Sequence, residues 1–269
     1  MKLRELIYAF GLGKTPREYP FEVERFSLPR EGALEFARRL HPKERRKEIS
    51  QAAVDALRTF LREGDCAIDV GAHTGDTTVP IALAVGRLGT VFAFEPNPYV
   101  FKVLEANASL NREKTSIVPF PFAATEDDGE FAFTYSDPGF SSGGLPVPGC
   151  RRFFRLQVAG KNIVRFLQKE SPDLLERVRY VKIDTDGHDR SVVASMRDFL
   201  LEKRPYLKTE FYKHLTVEAR IAEYDELRAL GYRLHRCLGE ETYRGPEVSL
   251  DDLKGRSNFD AFAVPEDRA

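Results

Sequence analysis

The segment DVGAHTG groups a carboxylate with two glycines, Asp69 being followed by Gly71 and Gly75. Glycine lets a backbone turn tightly and approach a ligand closely, where a Cβ atom would collide. Further along the chain, Glu95 ends the apolar run TVFAFE. A carboxylate at the end of a strand can accept hydrogen bonds from the two vicinal hydroxyls of a ribose. The two segments together predict a nucleoside-binding site.

The type of nucleoside follows from the glycine count. Dinucleotide sites use GxGxxG, whose three glycines bring the backbone close to a pyrophosphate. The third glycine is absent here, and Asp69 would place a carboxylate near the phosphates. That carboxylate better suits a cationic sulfonium and amino group, which favours S-adenosyl-L-methionine. The expected cofactor-binding residues are Asp69, Gly71, Ala72, His73, Gly75, Glu95, Asn97 and Ala124.

A second polar group, Asp184, Asp186 and His188, follows the apolar run RVRYVKI. A hydroxyl that attacks a sulfonium methyl group benefits from a general base, typically by about 10²- to 10⁴-fold. Asp184 and Asp186 are the first candidates, and His188 is equally consistent with a structural role at a helix N-terminus. The two aspartates and Glu210 could instead hold a divalent cation that acidifies the hydroxyl, but we favour a site without metal.

Recognition of the acceptor is expected in the segment from Ser136 to Gly149, which is dense in Gly, Pro and Ser. This composition is typical of a loop, and such loops often close over a substrate. Phe140 and Ser141 in the loop, together with Glu210, are the candidate acceptor-binding residues. A plain connection without a binding role explains the composition equally well.

Short apolar runs alternate with segments of helical periodicity, which predicts parallel strands joined by crossover helices. The predicted strands cover residues 66–70, 90–95, 115–124, 130–135, 152–158, 177–184, 205–212, 232–237 and 258–265. The predicted helices cover residues 77–88, 99–111, 161–169, 191–203 and 217–231. We therefore expect an α/β, Rossmann-like fold: a mostly parallel seven-stranded sheet with an antiparallel edge strand and helices on both faces.

The first 48 residues contain 12 Lys/Arg and 8 Asp/Glu, too polar a composition for a core. We expect a solvated helical extension over residues 1–48, with a lid or docking surface as the less favoured alternative. The catalytic domain is then residues 49–269.

The composition limits which partners and which cellular compartment are expected. Lys and Arg number 41 against 42 Asp and Glu, so the net charge of −1 does not favour binding to nucleic acid. Cys66, Cys150 and Cys237 are far apart, which fits a reducing compartment without structural zinc. The N-terminus resembles no secretory signal, and no run approaches the roughly 20 apolar residues that span a bilayer. We expect a cytoplasmic protein without a membrane span; the oligomeric state stays open.

Three segments, IDVGAHTGDTT, VFAFEPNPYVFKVLEANASLN and YVKIDTDGHDRSVVASM, resemble the FkbM family of methyltransferases. The family pattern runs DVGANIG, AFEPNP and KIDVEGHE, and the resemblance extends from about Asp65 to Val264. It implies a class I methyltransferase fold and transfer from S-adenosyl-L-methionine to a hydroxyl of a sugar, glycan or natural product. His73 replaces the usual asparagine, and Thr185, Asp186 and Asp189 replace Val, Glu and Glu.

Two other functions stay open at this point. A non-catalytic binding or scaffold protein could keep the same fold, since fold does not determine function. A nicotinamide-dependent oxidoreductase is less favoured because the third glycine is missing.

Overall fold

The computed structural model describes residues 18–42, 44, 46–136, 140–141, 153–255 and 257–268. Its strands are β1 (Phe21–Leu28), β2 (Gly32–Arg39), β3 (Cys66–Val70), β4 (Thr90–Phe94), β5 (Ile117–Phe120), β6 (Ala123–Ala124), β7 (Gly129–Ser136), β8 (Phe140–Ser141), β9 (Phe153–Lys161), β10 (Val178–Ile183), β11 (Tyr206–Phe211), β12 (Tyr232–Arg236) and β13 (Phe259–Pro265). Its α-helices are α1 (Gln51–Leu57), α2 (Thr78–Val85), α3 (Pro98–Ser109), α4 (Ile163–Glu170), α5 (Pro172–Leu175), α6 (Asp189–Ser195), α7 (Arg197–Lys203), α8 (Val217–Ala229) and α9 (Leu250–Lys254).

Seven of the described strands form a central sheet in the order β12-β13-β11-β10-β3-β4-β5. The pairs from β11 through β5 are parallel, whereas β13 runs antiparallel to both β11 and β12. The reversed strand thus lies one place inside the edge. The expected α/β fold of a class I methyltransferase, a mixed and mostly parallel seven-stranded sheet, is confirmed.

Helices cover both faces of this sheet because successive side chains of each strand point to opposite sides. Along β3, Ile68 packs into a core with α4, α6, α7 and α8, whereas Ala67 packs into a core with α1 and α2. Every residue of β3 and of β4 is buried, as is usual for central parallel strands. The carboxyl ends of these strands therefore meet at one edge of the sheet.

Two predicted elements are divided in the structure. The strand predicted for residues 115–124 is wrong as one element, because the chain leaves the central sheet between β5 and β6. Pro121, which has no N–H for a ladder, lies at that break. The helix predicted for residues 191–203 is divided at Met196 into α6 and α7.

A smaller sheet, in the order β6-β9-β7-β8, follows this break. Strands β7 and β9 pair antiparallel over the whole of β7, as their alternating sequences predicted. The small sheet contains the chain between β6 and α4, and it leaves the order of the central sheet undisturbed.

The N-terminal segment differs from its prediction. Helix was expected over residues 1–48, but β1 and β2 form an antiparallel hairpin, so the prediction is wrong over Phe21–Arg39. Leu34 and Phe36 are buried on either side of the partly exposed Glu35, which is the period of a strand rather than of a helix. Several of its charged residues form ion pairs across the hairpin, such as Arg25 with Glu35 and Arg38 with Glu24. Residues 1–17 lie outside the described part of the chain.

Two asparagines near the end of α3 hold this hairpin in place. Asn107 Nδ2 donates to the carbonyl oxygens of Ala37 (3.0 Å) and Thr74 (2.7 Å), and Asn107 Oδ1 accepts from Ala37 N (2.6 Å). Asn111 exchanges the same two bonds with the backbone of Glu35, at 2.9 and 2.8 Å. The side-chain amides thus replace a neighbouring strand along β2, and Asn107 also joins the hairpin to the loop after β3.

Within the described ranges, no helix is both long enough and apolar enough to cross a membrane. Cys66 and Cys237 are free and buried, and Cys150 lies outside the described residues.

Replacing Asn107 by alanine is expected to destabilise the fold, because it leaves three buried backbone groups without their partner. Unsatisfied buried groups cost about 1–3 kcal/mol each, so we expect a loss of about 2–4 kcal/mol after partial relaxation. The midpoint of thermal unfolding should fall by roughly 5–15 °C. Ser109→Ala, on the exposed side of the same helix, is the control and should change it little. An Asn107→Ala midpoint equal to that of the wild type would show that the hairpin is held otherwise.

Candidate active site

A cavity of about 700 Å³ lies at the carboxyl ends of the central strands. Its walls come from the loop after β3, the end of β4, the chain around β6, and the ends of β10 and β11. Strand order reverses at β3, with β4 on one side and β10 on the other, and such switch points are where α/β sheets bind ligands. Predicted site residues that line the cavity are Gly71, His73, Glu95, Ala124, Asp184, Asp186, His188 and Glu210.

Asp69 lies beneath the cavity and does not line it. Its Oδ2 atom accepts hydrogen bonds from the hydroxyls of Thr78 (2.7 Å) and Thr77 (3.0 Å), at the start of α2. Its Oδ1 atom lies 3.1 Å from Lys182 Nζ, which also donates to the carbonyl oxygen of Gly71 at 3.0 Å. Burial alone would lower the pKa of Lys182, but Asp69 and Asp184 hold it above its ordinary value. Asp69 therefore supports the loop through hydroxyls and a lysine.

Gly71 is required by a close approach within the protein. A Cβ atom there would lie 1.9 Å from the carbonyl oxygen of Asp184, and the φ of Gly71 is +75°. The loop after β3 and the turn after β10 thus touch at this glycine, which brings the cofactor-binding and catalytic candidates together. Ala72 and Gly75 do not line the cavity; Ala72 packs with Leu104 of α3.

Glu95 is buried at the end of β4, with one carboxylate oxygen on each of two backbone amides. Oε2 accepts from His73 N at 2.9 Å, and Oε1 accepts from Asn97 N at 2.8 Å. Burial raises the pKa of Glu95 to about 7 against the opposing effect of these two donors. Each carboxylate oxygen has a second lone pair, so both can accept a further hydrogen bond from a ligand.

Asn97 was expected to contact the cofactor, but it caps α3, where its Oδ1 accepts from Tyr99 N at 3.0 Å. Asparagine is a preferred N-cap residue, and Pro98 at the first helical position strengthens this assignment. His73 lines the cavity with a φ of +47°, and burial lowers its pKa to about 4, so its ring is neutral near pH 7.

The turn after β10 carries the three candidate catalytic residues. Asp184 is half-exposed, with Oδ2 3.7 Å from Lys182 Nζ. Asp186 has a φ of +52°, which aspartate adopts more readily than most residues. Burial, together with the neighbouring Asp184 and Asp189, raises the pKa of Asp186 to about 8. His188 is exposed and precedes α6 as its N-cap without a side-chain capping bond.

Glu210, at the end of β11, faces the same group of acids. Its Oε1 atom accepts from Asn258 Nδ2 at 2.6 Å. Burial raises the pKa of Glu210 to about 9, and the neighbouring acidic groups of Asp184 and Asp186 contribute to this rise. Among the described residues there is no group of three or more His, Cys, Asp or Glu side chains arranged to hold a metal ion.

Asp189 joins the turn to β11 and was not among the predicted site residues. Its Oδ2 atom accepts from the backbone N–H (3.1 Å) and hydroxyl (2.8 Å) of Thr185. Its Oδ1 atom accepts from Glu210 N at 3.2 Å and from the hydroxyl of Thr209 at 3.3 Å. An acid in the first turn of a helix after a strand was the available signal for this role.

Lys47 and Asp76 also line the cavity and were not predicted. Lys47 Nζ lies 2.5 Å from Asp76 Oδ2. No motif marks Lys47, which belongs to the segment interpreted as an extension. Asp76 directly follows Gly75, so its place in the loop was the one available signal.

Phe140 and Ser141 could be placed only by their backbone, which pairs with β7 as strand β8. Their side chains, and residues 137–139 and 142–149 of the predicted acceptor loop, lie outside the described residues.

Comparison with known proteins gives a consistent family. The family model described as Methyltransferase FkbM domain matches residues 69–234. The chain is 27% identical over 149 residues to the hexuronic acid methyltransferase AglP of Haloferax volcanii, covering 54% of this chain and 57% of that protein. It is 33% identical over 105 residues to the protein-L-isoaspartate O-methyltransferase of Caenorhabditis elegans, covering 35% and 44%. The chain thus spans about half the length of these curated relatives.

Among solved structures, the methyltransferase FkbM from Methylobacillus flagellatus KT is similar, with a TM-score of 0.48 and 14% identity. The match covers 76% of this chain and 44% of that one.

The raised pKa of Glu210 makes stability depend on pH in a defined direction. The native state keeps this proton up to about pH 9, whereas the unfolded chain releases it near pH 4.5. The native state therefore binds more protons between those values, and the free energy of unfolding falls as the pH rises through them. Urea titrations at about pH 6 and about pH 8.5 measure the difference in the free energy of unfolding between these two values. This difference should be smaller for Glu210→Gln than for the wild type.

The matched control is Glu202→Gln, a change of an exposed acid on α7, which should keep the wild-type slope. Parallel slopes for Glu210→Gln and the wild type would mean that Glu210 is ionised in the native state at neutral pH.

Proposed function

Because this chain belongs to the FkbM methyltransferase family, we propose that it transfers a methyl group from S-adenosyl-L-methionine to a hydroxyl oxygen. The acceptor in this proposal is a sugar, a glycan or a related hydroxylated natural product. The relative from Haloferax volcanii is named for methylation of a hexuronic acid, which supports a sugar acceptor. The relative from Caenorhabditis elegans is named as an O-methyltransferase, which supports an oxygen as the attacking atom.

Glu95 gives the main support for the cofactor. It is buried at the end of β4, faces a cavity of about 700 Å³, and keeps a lone pair on each oxygen for the two ribose hydroxyls. That volume is within the usual range for small-molecule sites. Phe122 and Ala124, on the chain that follows β5, also line the cavity. They offer an apolar surface for adenine beside Glu95.

The acidic groups of the cavity suit the same ligand. Asp184, Asp186 and Glu210 line it together, and a bound sulfonium would stabilise their ionised forms, whereas a pyrophosphate would oppose them. S-adenosyl-L-methionine, when bound, supplies an electrophilic methyl group on that sulfonium. The protein must then hold the acceptor oxygen in line with it, and positioning of this kind can contribute ~7–11 kcal/mol.

A side chain must accept the proton that the acceptor hydroxyl group loses. In our proposal Asp184 or Asp186 accepts it as the oxygen attacks, and His188 at the cavity wall is the alternative. With a pKa of about 8, Asp186 matches the basicity that a general base needs near neutral pH. Asp189 positions the turn by its bonds to Thr185. Glu210 and Phe140 with Ser141 are proposed to contact the acceptor.

Thermal unfolding with S-adenosylhomocysteine tests the proposed cofactor. A ligand at 100 times its dissociation constant adds about 2.7 kcal/mol of stability. For a chain of this size the midpoint should rise by roughly 5–10 °C, and NAD should give no rise. Glu95→Ala should abolish most of the rise while the unliganded protein still unfolds cooperatively. A rise with NAD but none with S-adenosylhomocysteine would favour the oxidoreductase, and no rise with either would favour a scaffold role.

Asp184→Asn is expected to leave S-adenosylhomocysteine affinity near the wild-type value but to slow methyl transfer by about 10²- to 10⁴-fold, because the amide cannot accept the proton. Calorimetry measures the affinity, and transfer of a labelled methyl group to a panel of hydroxylated sugars measures the rate. Wild-type turnover by Asp184→Asn would move the base to Asp186, which Asp186→Asn examines in the same assay.

A further inference from the structure

An ion pair joins the N-terminal segment to the loop after β3 at the wall of the cavity. Lys47 precedes α1, and Asp76 lies between Gly75 and the start of α2. The side chains of Lys47 and Asp76 are 36% and 20% exposed, so each presents a surface to a ligand in the cavity.

The position of the pair within the cavity follows from the sheet. Lys182 of β10 is among the charges that act on Lys47, so the pair lies toward the β3 and β10 side. Ala124 lies on the chain that follows β5, on the other side of Glu95. A ligand with its ribose at Glu95 and its adenine beside Ala124 therefore extends its remaining end toward Lys47 and Asp76.

Both partners keep their charge despite burial. Burial alone would lower the pKa of Lys47, but the Asp76 carboxylate more than offsets it, and the pKa is raised. Burial alone would raise the pKa of Asp76, but Lys47 and then His73 lower it. The cavity wall thus presents one full positive and one full negative charge side by side.

Lys182, the other lysine at the cavity, is already used. It is only 3% exposed and is held by Asp69 and by the carbonyl oxygen of Gly71 beneath the loop. Among the described residues that line the cavity, Lys47 is therefore the lysine that a carboxylate can reach.

We propose that Lys47 and Asp76 bind the amino-acid end of S-adenosyl-L-methionine, Lys47 through its carboxylate and Asp76 through its ammonium group. This assignment rests on the proposed function. A zwitterion carries one group of each sign on a single carbon atom, and an adjacent lysine and aspartate are complementary to it. Binding then replaces one ion pair of the protein by two, and Lys47, which lies between β2 and α1, becomes part of the cofactor site.

Two ligands separate this assignment from general cofactor binding. S-adenosylhomocysteine has the amino-acid end, whereas 5′-methylthioadenosine has the same adenosine and thioether without it. Lys47→Met should weaken S-adenosylhomocysteine by about 10- to 100-fold, the usual cost of losing a hydrogen bond to a charged group. The affinity for 5′-methylthioadenosine should not change, and both are measured by calorimetry. Asp76→Asn should show the same selective loss.

Two further variants complete the design. Lys47→Arg keeps the positive charge and should retain most of the affinity for S-adenosylhomocysteine. Lys102→Met is the matched control, because Lys102 pairs with Glu18 at 2.7 Å and so also joins the N-terminal segment to the body, away from the cavity. It should leave both affinities unchanged, and thermal unfolding without ligand checks that each variant is folded.

The outcomes separate the two proposals. Equal binding of S-adenosylhomocysteine by Lys47→Met and the wild type would overturn the assignment, as would an equal loss for both ligands. In either case the binding of both ligands by the wild type would still support the proposed function. If the wild-type chain bound neither ligand, the proposed function would fail, and this assignment with it.

Discussion

The buried ion pair between Asp69 and Lys182 holds the parts of the cavity together. The two residues face each other on the neighbouring parallel strands β3 and β10, so the register of the sheet places them in contact. Asp69 binds the hydroxyls that begin α2, and Lys182 binds the carbonyl oxygen of Gly71. Breaking such a pair by removing one partner typically costs 3–5 kcal/mol. The loop, the helix start and the end of β10 therefore keep one arrangement.

Asn107 of α3 also supports the loop after β3. Asn107 bonds the carbonyl oxygen of Thr74 while it holds Ala37 of the hairpin, so a segment distant in sequence positions the loop after β3. The amide can do this because it offers two donors and an acceptor in one plane. The hairpin, α3 and the loop thus act as one unit, which a single polar side chain links through buried bonds.

The central sheet and the acids at its strand ends could be predicted from the sequence, since buried parallel strands are continuous apolar runs whose ends share one edge. Glu95, Asp184 and Glu210 stand at the ends of such runs, and all three line the cavity. Asn97 was expected at the cofactor, but its side chain caps α3 and does not line the cavity, because a local backbone N–H competes with a ligand for the same oxygen. Lys47 could not be predicted at the cavity, because its partner Asp76 is distant in sequence and no periodicity links the two. The hairpin was predicted as helix because its high charge density obscures the short alternation of Leu34, Glu35 and Phe36.

The small sheet and the central sheet differ in how far their strands are exposed. Within the small sheet β6 pairs with β9 over only two residues, and residues 129–132 of β7 are exposed. The buried strands of the main sheet tolerate few substitutions, whereas exposed segments tolerate many. Under the proposed function, the inserted sheet is therefore the part of the chain in which substitutions would change the acceptor preference, while the layer that carries Glu95 stays the same.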